Sequence, residues 1–496
     1  MTSHMHPTHH PIPGAGLQPA LRFDAFGADF IWGSATAAAQ IEGAAHEGGK
    51  EDSIWDAFAR VPNAVANGDT PALGVDHYHR VSEDVALMRE LGLDSYRFST
   101  SWARVVPGGR GVNQEGLDFY SRLVDELLGA GILPWLTLYH WDLPQALQER
   151  GGWADRDTAH RFVEYAEAVY GALGDRVAHW TTFNEPLCSS LIGYVGGEHA
   201  PGLTDPVAGL AAVHHQHLAH GLAVRRLREL ADASGRDIRL GITLNLTNAV
   251  PDDPSDPADI EAARRIDALW NRMFLEPLVL GAYPADLLED VRDFGLADRI
   301  QPGDLEVISA PIDFLGVNHY HDDNVSGRPL PADAMPSLRP TDKPGRSPFP
   351  GSEHVTQPSR GLPRTAMDWE VNPAGLEELL VRLGREYPML PPLYVTENGA
   401  AYDDVVTPDG RVHDVERTQY LVDHIAAVGR AIEAGADVRG YFVWSLLDNF
   451  EWAWGYEKRF GIVRVERDTM ARIPKDSALT YAALIVQAKR VATIPA

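Results

Sequence analysis

The sequence predicts a single (β/α)8 barrel, or TIM barrel, with long loops after the strands forming the active-site cleft. Eight short apolar runs alternate with amphipathic helical patterns from about Leu21 onward. The runs are apolar throughout, as expected of parallel strands buried on both faces. The 496 residues would allow about three domains. No linker or change in composition divides them, so we expect one barrel over residues 21–490.

Each strand-like run is short and rich in aromatic and β-branched residues, as expected of a buried strand. The run ILPWLTLYH at 132–140 is typical, because a long apolar stretch ends there on a polar residue. In chain order, the eight runs lie at 30–37, 95–102, 132–140, 179–186, 238–246, 313–320, 393–399 and 439–449.

Helical periodicity fills the intervals between these runs. Within 82–91, Val85, Met88 and Leu91 recur three residues apart, and 117–128 repeats that spacing. Further helical patterns fall near 158–173, 207–230, 259–272, 375–385, 415–434 and 477–489. Because one helical pattern follows each run, the strand–helix unit recurs around the whole predicted barrel.

Two connections are too long to be simple turns. Residues 321–373 follow the sixth run and contain ten prolines with little periodicity. A second segment, 247–258, is also rich in Pro and Asp. Long irregular loops in compact domains usually serve as lids or binding loops. We therefore expect 321–373 to be an irregular loop that helps to form the cleft.

The formal charge of −27 argues against two classes of partner. An acidic surface repels nucleic acid and anionic lipid, so we expect neither a nucleic-acid nor a membrane partner. Cys188 is the single cysteine, which excludes an intramolecular disulfide and a cysteine-based zinc site. Formation of a homo-oligomer stays open.

The two ends of the chain are predicted to lie outside the barrel. Residues 1–20 contain several histidines but no basic-then-apolar signal pattern. They are interpreted as a disordered leader or a cloning remnant, with metal binding as the alternative. Residues 491–496 are predicted to form a C-terminal tail. On this basis we expect a cytoplasmic protein.

Polar and aromatic residues end each of the eight runs. In a parallel barrel the carboxyl ends of the strands form one rim, which is where active sites lie. In strand order, the rim residues are Gln40 and Glu42; Arg97; His140 and Trp141; Asn184 and Glu185; Asn245; Asn318 and Tyr320; Glu397 and Asn398; and Trp444, Asp448 and Asn449.

Two of these residues, Glu185 and Glu397, are carboxylates that end the fourth and seventh runs. From opposite sides of a small barrel they would face one another across its mouth. A pair of facing carboxylates among aromatic and amide side chains suits cleavage of a glycosidic bond. One carboxyl group protonates the leaving oxygen while the other meets the anomeric carbon.

Each of these residues taken alone also fits a structural role. A glutamate at a strand end and Arg97 could be ion-pair partners, and Trp135, Trp141 and Trp180 could be core residues. The histidines at 214, 215, 217 and 220 could bind a metal, although packing of their helix is favoured. The joint occurrence of polar residues at eight successive strand ends favours the catalytic interpretation.

In its sequence motifs the chain resembles the family-1 glycoside hydrolases, which are retaining β-glucosidases and β-galactosidases. The match extends from about Phe23 to Ala488, and TFNEP with TENG at this separation is highly specific. The matching segments are ATAAAQIEGA (35–44), SIWDAF (53–58), YRFSTSW (96–102), LTLYHWDLP (136–144), TFNEP (182–186), YVTENG (394–399), WSLLDNFEWAWGY (444–456) and KRFGIV (458–463).

The resemblance implies that Glu185 is the general acid/base and Glu397 the nucleophile. Glu397 would stay ionised beside Arg97 and Tyr320, while burial and the nearby charge would keep Glu185 protonated. Trp444 would lie beneath the sugar, and Trp369 would form the platform for the leaving group. The full set of implied substrate-binding residues is Gln40, His140, Trp141, Asn184, Asn318, Tyr320, Trp369, Trp444, Glu451, Trp452 and Phe460.

The resemblance also implies a substrate class. Relatives that take 6-phosphosugars carry a small hydroxyl residue at the position of Glu451, where a carboxylate would repel phosphate. The thioglucosidase branch replaces the acid/base glutamate, which is intact here as Glu185. We therefore expect a β-glucosidase that also accepts β-galactosides or β-fucosides, takes cello-oligosaccharides, contributes to cellulose degradation, and needs no cofactor or metal.

Four other functions are alternatives to a β-glucosidase. A dehydrogenase is disfavoured because GGRGVNQEG (108–116) has Gln114 where the third glycine of GxGxxG belongs. A phosphate-binding loop fails at GGK (48–50), where Ala44 replaces the first glycine. A sugar-binding protein on the same barrel would be expected to lose one of the two glutamates. A transglycosylase stays open, since it uses the same covalent intermediate.

Overall fold

The computed structural model describes residues 21–330, 338–343 and 345–492, and it contains a closed barrel of eight parallel strands. Each strand is hydrogen-bonded to its neighbours in sequence, and the first pairs with the last. The predicted (β/α)8 barrel is therefore confirmed. The barrel strands are β1 (Ile31–Ala35), β2 (Ser95–Ser99), β3 (Leu133–Tyr139), β4 (His179–Asn184), β5 (Arg239–Asn245), β6 (Phe314–Asn318), β7 (Leu393–Asn398) and β8 (Val438–Trp444).

A long helix follows each barrel strand along the chain. These helices are α1 (His77–Glu90), α2 (Gln114–Gly129), α3 (Asp157–Leu173), α4 (Pro206–Ser234), α5 (Pro257–Asp267), α6 (Pro373–Glu386), α7 (Val415–Glu433) and α8 (Asp476–Ala492). Shorter α-helices lie at Ala38–Ile41, Ile54–Phe58, Trp102–Val105, Gln145–Gln148, Met273–Val279, Ala285–Asp290 and Asp304–Ile308, and π-helices at Cys188–Gly196 and Ala268–Arg272.

The helices form where apolar periodicity and end signals coincide. Helix α2 buries Leu117, Leu123 and Leu127 on one face. Burial of each such side chain contributes roughly 1.5–3 kcal/mol. Helix α4 begins where Asp205 accepts hydrogen bonds from two backbone amides of its first turn, and it ends at a left-handed glycine, Gly235.

Aromatic rings fill the inside of the barrel beneath the rim. The ring of Trp135 lies 4.8 Å from Phe314, 4.9 Å from Tyr394 and 5.2 Å from Phe442, centroid to centroid. The barrel is therefore a packed core and not a pore, so a ligand can enter only from the rim. Trp180, which the sequence assigns to the core, is fully buried.

The long loop after β6 is more ordered than the sequence predicts. Its segment Asp323–Val325 is a short strand that pairs in parallel with Ala249–Pro251, within the second Pro- and Asp-rich segment. The interpretation of 321–373 as irregular throughout is thus wrong at its start. Three-residue strands leave no periodic signal, so only the pairing reveals them. Another short pair, Val463–Val465 with Arg472–Pro474, follows β8.

Some predicted segments extend beyond the described residues. The predicted leader, 1–20, lies outside them, as do residues 493–496 of the predicted tail. Val491 and Ala492, assigned to the tail, continue helix α8 instead. Among the described helices, none combines the length and apolar character that a membrane crossing requires.

Candidate active site

The carboxyl groups of Glu185 and Glu397 lie in one cavity at the carboxyl ends of the barrel strands. Glu397 belongs to β7, while Glu185 directly follows β4 and has a positive φ of 47°. The cavity measures about 930 Å³ including its open mouth. The two residues are only 5% and 2% exposed, so both carboxyl groups are largely removed from water.

Glu397 is held at both carboxylate oxygens. Arg97 donates from Nη1 to Oε1 over 2.6 Å, and the Tyr320 hydroxyl donates to Oε2 over 2.7 Å. Arg97 comes from β2, is fully buried, and also donates to Oδ1 of Asn184 over 2.6 Å. The predicted support of Glu397 by Arg97 and Tyr320 is therefore present as direct contacts.

Glu185 has a different set of partners. Asn318 donates from Nδ2 to its Oε1 over 2.6 Å, and the thiol of Cys188 lies 3.3 Å from its Oε2. Burial, with the negative charge of Glu397 adding to it, raises the pKa of Glu185 to about 8. This carboxyl group is thus protonated at neutral pH.

The hydrogen-bond partners of the two carboxyl groups favour the negative charge on Glu397 over Glu185. Burial raises the pKa of Glu397, but the adjacent Arg97 guanidinium and the Tyr320 hydroxyl oppose that rise. Glu185 has no cation in direct contact among its hydrogen-bond partners, which are Asn318 and Cys188. Two buried carboxyl groups with unlike partners can act as an acid and a nucleophile at the same pH.

Asn184 and His140 form a polar corner beside the carboxylates. The Nδ2 atom of Asn184 lies 3.0 Å from Nε2 of His140. Burial, together with the charge of Arg97, lowers the pKa of His140, so its ring is neutral at neutral pH. The other ring nitrogen, Nδ1, is buried without a protein partner and is available to hydrogen-bond to a ligand hydroxyl.

Glu451 and Gln40 form a second polar corner of the site. Gln40 donates from Nε2 to the backbone oxygen of Phe450 over 2.9 Å and approaches Oε2 of Glu451 at 3.5 Å. The Oε1 atom of Gln40 is buried without a protein partner. Burial, with the charges of Glu397 and Glu185 adding to it, raises the pKa of Glu451 to about 8.

Aromatic rings line the walls of the cavity. Trp369 packs against Tyr320 with ring centroids 5.4 Å apart, and against Phe460 at 6.0 Å. Trp452 packs against Trp141 at 4.5 Å on another wall. Flat apolar faces combined with polar corners suit a ring that carries hydroxyl groups at its edge.

Most of the predicted substrate-binding residues line the cavity. These are His140, Trp141, Asn318, Tyr320, Trp369, Trp444, Glu451, Trp452 and Phe460, together with Glu185 and Glu397. Gln40, Asn184 and Arg97 do not appear among the lining residues but hydrogen-bond to residues that do. The structure therefore brings the predicted set together in one place.

Several lining residues have no predicted role in substrate binding. They are Cys188, Ile192, Glu198, His199, Asn245, Leu246, Thr247, Trp270, His321, Met367 and Trp454. Most of them lie in helices and loops, so the pattern of polar residues at strand ends does not predict them. Asn245 and Cys188 did carry a signal, because Asn245 is the rim residue predicted from the fifth run and Cys188 lies three residues after Glu185.

The histidines of helix α4 are packing residues. His214 contacts Asp304 at 2.8 Å, His217 contacts the Tyr283 hydroxyl at 2.9 Å, and His220 contacts the Thr182 hydroxyl at 2.7 Å. His215 contacts a backbone oxygen at 2.9 Å. Within the described ranges, no three His, Cys, Asp or Glu side chains are grouped as a metal ion would require.

Comparison with known proteins gives one consistent match. The family model described as glycosyl hydrolase family 1 matches residues 23–490. The thermostable β-glucosidase B of Thermobispora bispora is 50% identical over 455 residues, covering 91% of this chain and 89% of that protein. The bifunctional β-D-glucosidase/β-D-fucosidase of Bifidobacterium breve is 45% identical, covering 90% of this chain and 95% of that protein.

A solved structure agrees with this match. The crystal structure of the psychrophilic β-glucosidase BglU from Micrococcus antarcticus superposes with a TM-score of 0.92 at 68% sequence identity. The superposition covers 94% of this chain and 98% of that one. Similarity at this level extends over the entire barrel.

Proposed function

The chain belongs to glycosyl hydrolase family 1, and from that premise we propose that it hydrolyses O-linked β-glucosides with retention of configuration. It releases the sugar at the non-reducing end, with Glu185 as the general acid/base and Glu397 as the nucleophile. The observation that carries the proposal is the unlike environment of these two buried carboxyl groups. Retaining glycosidases require such a pair.

In the first step Glu397 attacks the anomeric carbon. A bond forms between a carboxylate oxygen and that carbon, while the bond to the leaving oxygen breaks and Glu185 gives its proton to that oxygen. The charge of Glu397 is consumed in the glycosyl ester. Arg97 and Tyr320 orient the attacking carboxylate before the reaction, so little reorganisation is needed at that moment.

In the second step Glu185 acts as a base. The negative charge of Glu397, which helps to raise the pKa of Glu185 in the free site, is absent from the ester. The pKa of Glu185 therefore falls, and its carboxylate takes a proton from water as the water oxygen attacks the anomeric carbon. The bond to Glu397 breaks, which restores both residues.

The polar corners support binding of a plain sugar. Two residues that line the cavity, His140 with its unpartnered Nδ1 and Glu451 with its carboxyl group, provide hydrogen-bonding atoms for ring hydroxyls, and the unpartnered Oε1 of Gln40 belongs to a side chain that approaches Glu451. A phosphate at this place would be buried beside Glu451, a carboxyl group that supplies no positive charge, and near the negative charge of Glu397, which is unfavourable. A relative named for both β-glucosidase and β-fucosidase activity supports β-fucosides, and by extension β-galactosides, as further substrates. Three further points stay predictions from the sequence: that the enzyme takes cello-oligosaccharides, that it contributes to cellulose degradation, and that it is cytoplasmic.

The proposal is tested by hydrolysis of four nitrophenyl substrates side by side near neutral pH: the β-glucoside, the β-galactoside, the β-fucoside and the β-glucoside 6-phosphate. We expect turnover of the plain β-glycosides, with the β-glucoside among the good substrates, and no turnover of the phosphosugar. Reaction of the phosphosugar alone would overturn the role given to Glu451. Inertness toward all four would overturn the proposed activity itself.

Replacement of Glu451 by serine tests sugar recognition. The variant loses a buried hydrogen-bonding group, so kcat/KM for the plain β-glucoside should fall by roughly 100-fold or more, which corresponds to about 3 kcal/mol or more. The matched control is Glu457→Ser, since Glu457 lies in the same loop but is exposed and accepts a hydrogen bond from Asn67. An unchanged kcat/KM in Glu451→Ser would contradict the assignment.

A further inference from the structure

We propose that Cys188 is a positioning residue for the acid/base, donating its S–H to Oε2 of Glu185 while Asn245 fixes the direction of the thiol. The inference rests on the proposed function, because it assigns a role to a neighbour of Glu185. It also accounts for two cavity residues, Cys188 and Asn245, that the mechanism above does not use.

The thiol is placed by the turn that follows Glu185. Cys188 begins the π-helix Cys188–Gly196, three residues after Glu185, and its amide donates to the backbone oxygen of Glu185 over 3.0 Å. Its Sγ lies 3.3 Å from Oε2 of Glu185. Asn318 already donates to the other oxygen, Oε1, so the thiol contacts the oxygen that Asn318 leaves free.

The direction of the hydrogen bond follows from the second contact of the sulfur. Asn245 Nδ2 donates to Sγ over 3.7 Å, which occupies the acceptor side of the sulfur. Burial, with the charge of Glu185 adding to it, raises the pKa of the Cys188 thiol well above its ordinary value. The sulfur therefore keeps its proton and directs it toward Oε2 of Glu185, the acceptor that lies 3.3 Å away.

A thiol is well matched to a carboxyl group that must both give and take a proton. A strong donor at Oε2 would stabilise the carboxylate and weaken Glu185 as an acid. A purely apolar neighbour would leave the carboxylate of the second step with only Asn318 as a donor. The weak S–H donor holds the side chain in place in both states and shifts its proton affinity only slightly.

Infrared spectroscopy tests the contact directly, because Cys188 is the single cysteine and its S–H stretching band is therefore unambiguous. An ionised carboxylate is a stronger acceptor than a protonated one. As Glu185 ionises between about pH 6 and pH 10, we expect the band to move to lower wavenumber in the native enzyme and to stay fixed in Glu185→Gln. A band that is independent of pH in the native enzyme would overturn the inference.

Kinetics provide a second, independent readout. Cys188→Ala and Cys188→Val both remove the donor but change the volume of the side chain in opposite directions. The loss of a donor to the carboxylate raises the pKa of Glu185. The alkaline limb of the pH profile, where kcat/KM falls as Glu185 loses its proton, should therefore move to higher pH by about half a unit in both variants. If the variants acted through packing instead, the shift of the limb would differ between the smaller alanine and the larger valine.

The matched control is Ser189→Ala, because Ser189 neighbours Cys188 but directs its hydroxyl to Gln216 over 3.0 Å, away from Glu185. Its alkaline limb should coincide with that of the native enzyme. An unmoved limb in both Cys188 variants would overturn the inference while leaving the proposed function intact. Failure of the native enzyme to hydrolyse any β-glycoside would instead overturn the proposed function.

Discussion

Replacement of Glu397 by alanine should lower kcat for β-glucosides by about 10⁴-fold or more, the order of loss seen when an enzyme loses its nucleophile. The carboxylate that attacks the anomeric carbon is absent in this variant, whereas the acid, Glu185, is still in place. Activity is measured with the nitrophenyl β-glucoside, whose good leaving group keeps the remaining chemistry observable. Unchanged activity would reject Glu397 as the nucleophile.

Azide or formate should partly restore turnover in the same variant. Removal of the Glu397 side chain leaves a space beside the buried Arg97 guanidinium, which normally donates to Glu397 over 2.6 Å. A small anion can occupy this space, pair with Arg97 and attack the anomeric carbon from the same side. Because only one displacement then takes place, the product should have inverted configuration.

Two controls separate loss of chemistry from loss of folding. Glu397→Gln keeps most of the side-chain volume and should be inactive without rescue, while its circular dichroism matches the native protein. Glu378→Ala, at an exposed position of α6, should be fully active. A rescued product with retained configuration in Glu397→Ala would show that Glu397 is not the nucleophile.

The barrel is largely predictable from the sequence because its strands are buried on both faces. A run such as 132–140 is apolar over nearly its whole length, and β3 is found there as Leu133–Tyr139. The short strand Asp323–Val325 is not predictable in this way. It has three residues, two of them polar, and is defined only by its pairing with Ala249–Pro251.

The predicted site residues come together because they lie at strand ends, whose positions the barrel fixes. Arg97, on β2, and Glu397, on β7, are 300 residues apart in sequence but form a direct ion pair. Trp270 and His321 line the same cavity from a π-helix and a loop. The direction in which such side chains point depends on local backbone geometry that no apolar periodicity encodes.

Replacement of Glu185 by alanine should affect poor leaving groups far more than good ones. Alkoxide leaving groups, as in cellobiose, need protonation, so their kcat/KM should fall by roughly 10²–10⁴-fold. Dinitrophenolate leaves without a proton, so the first step with the dinitrophenyl β-glucoside should be nearly unaffected, while the glycosyl ester accumulates because its hydrolysis lacks a base. Equal losses for both substrates would exclude Glu185 from the acid role.

The pH profile and the product of azide rescue complete this test. Because burial and the charge of Glu397 raise the pKa of Glu185 to about 8, kcat/KM of the native enzyme for cellobiose should fall as pH rises through that value, since the protonated acid is lost. Glu185→Ala should lack this alkaline fall of kcat/KM.

The product formed with azide separates the two glutamates. In Glu185→Ala, azide should attack the glycosyl ester on Glu397 and yield a β-glycosyl azide, whereas Glu397→Ala should yield the α-anomer. Opposite anomers from the two variants would assign each glutamate its own face of the sugar, and the same anomer from both would contradict the assignment.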